Sequence, residues 1–69
     1  MSPADARKQA VEAVMTLLFL GTEFTRDDGA TALRDAGFIV GIAALLRRGF
    51  IYQSMDVCRI TTKGKDSLL

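Results

Sequence analysis

The sequence predicts an α+β fold that is mainly helical, with a three-helix core, a short β-hairpin and a short C-terminal helix. Two observations carry this prediction. Three successive stretches show apolar residues at helical spacing, and glycines separate them. Two short segments rich in aromatic and β-branched residues then follow, joined by the polar stretch Gln53–Asp56. A chain of 69 residues has room for one core, so residues 1–69 are expected to form a single domain.

The first helix is expected to start at Ser2-Pro3, with Asp5 favourably placed in its first turn. Ala6, Ala10, Val11, Ala13, Val14, Leu17 and Leu18 make its inner stripe, and Gly21 ends it. Met15, Phe19 and Leu20 widen that stripe and are assigned chiefly to the core, with homodimerisation as a second use. Thr22 to Phe24 is a short extended link with Phe24 turned inward. Thr25 caps a second helix that runs to about Ala36, with Asp27 and Asp28 near its positive end and Ala30, Leu33 and Ala36 inward. Gly29 weakens this helix by about 1 kcal/mol.

After the turn at Gly37, a third helix is expected over Phe38–Arg48, closed by Gly49, with Arg47 and Arg48 at its negative end. Phe38, Gly41, Ile42 and Leu45 should point inward, and Ile39, Val40, Ala43 and Ala44 outward. Phe50–Tyr52 and Val57–Ile60 read as strands, with Cys58 on the inner side. Thr61 or Thr62 caps the last helix, which ends near Leu69.

Composition bounds the function. Nine Lys plus Arg against eight Asp plus Glu leave a formal charge of +1, too little for a general polyanion binder. The chain has no His and one Cys, which argues against a metal site, a cofactor and nucleophilic catalysis; the expectation is a protein that is not an enzyme. The most apolar run, Ala13–Leu20, falls short of the roughly 20 residues a membrane span requires. No secretory signal is legible, and a cytoplasmic protein with no membrane or small-molecule partner is expected, in the host cytoplasm if phage-encoded.

Two motifs then carry a family resemblance. Leu45-Leu46-Arg47-Arg48-Gly49-Phe50-Ile51 and Ile60-Thr61-Thr62-Lys63-Gly64, at this spacing, resemble the winged helix-turn-helix family. The resemblance implies that the third helix is the recognition helix, that the hairpin is the wing, and that duplex DNA is the usual partner. A DNA-binding transcription regulator would place Arg34, Arg47, Arg48, Arg59 and Lys63 on phosphates. Yet no side chain that reads base edges occurs between Gly37 and Leu46, and the hairpin connection carries Asp56. The favoured expectation is therefore protein binding, to a partner or a second copy, through Ile39, Val40, Ala43, Leu46, Tyr52 and Met55. Small winged-helix-like chains of this kind resemble phage or mobile-element inhibitors of host systems, anti-CRISPR proteins among them.

Overall fold

The computed structural model describes residues 2–69. Four helices and three strands follow one another as α1 (Pro3–Leu18), β1 (Glu23–Thr25), α2 (Arg26–Asp35), α3 (Ile42–Arg48), β2 (Ile51–Ser54), β3 (Val57–Ile60) and α4 (Thr62–Asp66). The expected α+β layout with its three-helix core, hairpin and C-terminal helix is present.

Local chemistry sets most of the boundaries. Ser2 and Thr25 cap α1 and α2, their hydroxyls accepting from the amides of Asp5 and Asp28, each at 3.2 Å. Gly49 closes α3 in the left-handed region at φ 75°, which lets its own amide and that of Phe50 donate back to Leu46 and Leu45. Thr61, not Thr62, caps α4.

The third helix is shorter than expected. Phe38 to Gly41 are not helical, and α3 begins only at Ile42, after Gly41 in an extended conformation. The left-handed Gly37 (φ 84°) sends the chain away from α2, and Phe38, whose amide donates to the Leu33 carbonyl at 3.0 Å, folds back on that helix instead of starting a new one. A single extra helical turn over two β-branched residues, with no side-chain cap, has too little to recommend it. Gly41, expected inside, is exposed, and so is Ala36 at the end of α2.

The link before α2 proves to be a strand. β1 pairs antiparallel with β3, Phe24 opposite Cys58, so the sheet has three strands in the order β1-β3-β2. The hairpin is also tighter than its polar stretch suggested. Ser54 pairs with Val57, leaving only Met55 and Asp56 to turn the chain.

Helices and sheet close on one core. Ala10, Ala13, Val14 and Leu17 of α1 meet Leu33, Ile42 and Leu45 from the other helices; Phe24, Phe50, Ile51, Cys58 and Ile60 cover them from the sheet side. Gly29, costly inside a helix, is explained by close packing: a Cβ there would lie 2.6 Å from the Phe24 ring and 3.1 Å from Ile42. No buried polar side-chain atom among the described residues lacks a partner.

Candidate interaction surfaces

The two motifs that suggested the fold meet in space. The Thr61 hydroxyl donates to the Gly49 carbonyl at 2.6 Å and accepts from the Gly64 amide at 3.0 Å, while the Thr61 amide donates to the Phe50 carbonyl at 3.0 Å. Gly64 sits directly on that carbonyl, where a Cβ would come within 2.2 Å of the Phe50 oxygen. These residues clamp the base of the hairpin to α4. The role of Gly49, Phe50, Thr61 and Gly64 is packing.

The candidate apolar residues do not form the single helical face that a longer α3 would have presented. Ile39 is 79% exposed in the turn before the helix, beside Asp5, Lys8, Gln9 and Glu12 of α1, and its amide donates to the Gln9 side chain at 3.4 Å. Val40 and Leu46 are half-buried against the core. Ala43 is exposed on α3, and Arg47, one turn further along, is exposed with it. Arg47 is thus the one exposed polar side chain of α3, the half-buried Arg48 following it at the helix end.

Tyr52 and Met55 lie on the hairpin. Alternation along the strands puts Tyr52 on the solvent side of the sheet, directly across from Arg59, with the partly exposed Val57 on the same side. Met55 occupies the hairpin tip, 89% exposed, and its backbone lies in the left-handed region at φ 55°. A side chain larger than glycine or asparagine at such a φ costs about 1 kcal/mol. At 89% exposure the thioether gains almost no burial to offset that strain. The tip is nevertheless held firmly. The Gln53 side chain donates to the Met55 carbonyl at 2.6 Å, the Arg26 guanidinium donates to the Gln53 side-chain oxygen, and the Arg26 amide donates to the Asp56 carbonyl at 2.8 Å. These bonds join the turn to the first residue of α2. Asp56 faces Asp27 and Asp28 across a cleft of about 480 Å³ that Thr25 and Arg26 also line.

The five cations considered for nucleic acid fall into separate places. Arg59 is paired with Glu23 at 2.6 Å across the outer face of the sheet. Arg34 lies on α2 within 3.4 Å of the Thr31 hydroxyl. Arg47, Arg48 and Lys63 come together, and Arg7 of α1 joins them around an open basin of about 300 Å³ whose lining includes Phe50. Sequence reasoning missed Arg7 because it is forty residues away from its neighbours. Its position on the polar side of α1 was legible, but the end of the molecule it faces was not. Met15, Phe19 and Leu20, assigned chiefly to the core, are exposed instead, Phe19 almost completely. They lie off the buried stripe of Ala10, Ala13, Val14 and Leu17 that α1 turns toward the core.

Cys58 is fully buried beneath the sheet, and burial raises its thiol above the usual range, the Arg26 charge opposing this to a smaller extent. Among the described residues no group of three His, Cys, Asp or Glu side chains is placed to hold a metal ion. No helix among them is long and apolar enough to cross a membrane. No protein-family model matches this chain, and comparison with curated proteins and with solved structures returns no significant match.

Proposed function

We propose that this protein is a small, non-catalytic binding module that docks on another protein through its hairpin, with Met55 as the leading contact and Tyr52 and Val57 beside it. The observation that carries this reading is Met55 itself. Its positive φ opposes stability, its exposed side chain gains no burial that would offset the strain, and the Arg26–Gln53 bonds nevertheless hold it in a defined place. Strain kept at an exposed tip is characteristic of a site that recovers the cost on binding. Methionine suits such a contact because its unbranched, polarisable side chain adapts to a partner's surface. Ile39 and Ala43 are exposed as well, in the turn before α3 and on α3 itself, whereas Val40 and Leu46 are half-buried against the core.

Reading of base sequence by α3 has little to work with, since Arg47 is its one exposed polar side chain and the hairpin tip is flanked by Asp27, Asp28 and Asp56. An inhibitor that occupies the surface of a host protein, as in the phage-encoded chains this sequence resembles, is the kind of role that a rigid apolar tip serves.

The test is recovery of a partner from extracts of the native cell by wild-type protein and by Met55→Asp and Ile39→Asp variants. The proposal expects a protein retained by wild type and lost by Met55→Asp, with circular dichroism unchanged in both variants. Recovery of DNA in place of protein would overturn it, as would a protein partner indifferent to both substitutions. Val40→Asp is unsuitable here, because its side chain packs against the core and its loss would unfold the chain.

A further inference from the structure

The molecule carries opposite surfaces at the two ends of its hairpin. At the tip, the exposed Met55 is followed directly by Asp56, which lines a cleft with Asp27 and Asp28, three carboxylates beside the single guanidinium of Arg26. At the base, Arg7, Arg47, Arg48 and Lys63 rim an open basin of about 300 Å³ that reaches Phe50. Among the described residues none of these four cations is within salt-bridge distance of a carboxylate; the ion pair found is Arg59–Glu23, elsewhere. The four residues of β2 separate Phe50 from Met55, so these two lie about 17 Å apart and tip and basin cannot satisfy each other within one molecule.

We propose that the partner of the hairpin tip is a second copy of this chain, and that the tip enters the basin at the hairpin base of that copy. This rests on the reading of the hairpin as a protein-docking element and names its occupant. The match is one of charge and shape together. An exposed apolar tip beside a cleft of three carboxylates meets an open basin lined by four cations, and in the proposed contact Asp27, Asp28 and Asp56 face the guanidiniums of Arg47 and Arg48. Arg pairs bidentately with carboxylate, which fixes orientation as well as adding attraction. With a formal charge of +1, two copies repel each other little at long range, and the segregated charges orient their approach.

One tip seated in one basin, without the second tip returning to the first basin, is a heterologous contact. Each copy keeps a free tip at one end and a free basin at the other, and association continues into open chains unless the rotation closes a ring. Complementary exposed charges are screened by salt, so assembly is strongest at low ionic strength.

Sedimentation velocity on the full chain tests this, with a tip variant (Met55→Ser with Asp56→Asn) and a basin variant (Arg47→Gln with Arg48→Gln). In low salt, at protein concentrations up to ~1 mM, wild type is expected to sediment as species that grow with concentration and shrink on adding salt. Each variant alone is expected to associate at least about tenfold more weakly. An equimolar mixture of the two is expected to form a species of two chains that grows no further, because one variant supplies only a tip and the other only a basin. Arg7→Gln with Lys63→Gln is a second basin variant that does not alter α3, and should behave like the first. Wild type that stays a single chain would overturn the proposal, as would a closed dimer that both variants still form. If the protein stays a single chain while Met55→Asp still loses a cellular partner, only the identity of the occupant fails and the docking reading stands.

Discussion

Met55 and Cys58 show how single side chains set opposite demands on the hairpin. Met55 holds a left-handed conformation that glycine adopts freely, so Met55→Gly is expected to stabilise the protein by about 0.5–1 kcal/mol. A urea melt should show the midpoint rising while partner binding falls; a lower midpoint would mean that the tip is not strained. Cys58 is fully buried, and its thiol titrates above the ordinary range because the thiolate would be desolvated. The folded state therefore keeps its proton at a pH where the unfolded chain has lost it. This contribution is complete below the ordinary thiol pKa and is lost as pH rises through the raised, folded-state value. Stability should fall on going to alkaline pH, and Cys58→Ala should flatten that part of the curve, measured by urea melts from neutral pH upward. Slow alkylation of the thiol, at a rate set by unfolding, would agree with this burial.

The last helix, α4, spans only five residues, far too short to stand alone. It exists because Thr61 ties it to Gly49 and Phe50 and because Gly64 lets its backbone rest on the Phe50 carbonyl. Gly64→Ala forces a methyl group into that carbonyl and is expected to cost about 3 kcal/mol, with loss of the α4 contacts visible in amide exchange. Thr61→Val keeps the shape and removes both hydroxyl bonds, and is expected to cost about 2 kcal/mol in the same denaturant assay. Equal stability of either variant with wild type would show that α4 contributes nothing to the hairpin base. α3 presents the reverse case. Its first turn has no side-chain cap, and it is held by the burial of Ile42 and Leu45. The periodicity that suggested a helix from Phe38 onward was partly the periodicity of a turn whose apolar residues pack on the core from another direction.

Twelve buried apolar residues make up the core, and domains of this size rarely exceed about 3–5 kcal/mol of stability. Leu17, fully buried in the last turn of α1, is expected to cost about 3 kcal/mol on truncation to Ala, most of what the fold has. Circular dichroism at room temperature should find Leu17→Ala largely unfolded in mild denaturant that leaves wild type intact. A fully cooperative, wild-type-like melt would mean that stability is supplied elsewhere. Phe19, Ile39, Tyr52 and Met55 remain exposed, since a core of this size does not cover every apolar side chain.

The sequence by itself determined the parts governed by near neighbours. Caps at Ser2 and Thr25, the left-handed closure at Gly49, the inner stripes of α1 and α2, the hairpin between β2 and β3, and the inward Cys58 all follow from backbone rules acting over a few residues. Tertiary structure decided what depends on residues distant in the chain. It paired β1, where the sequence offers only a short extended link over Thr22 to Phe24, with β3, because edge backbone groups need a partner that no local pattern specifies. It held Phe38–Gly41 out of α3, turned Phe19 to the surface, and left Val40 and Leu46 half-buried. It also drew Arg7 to Arg47, Arg48 and Lys63 while pairing Arg59 with Glu23. Five cations that the sequence offers as one set thus became a basin and two separate surface charges, because charge position is fixed by the packing of whole elements and not by the order of residues.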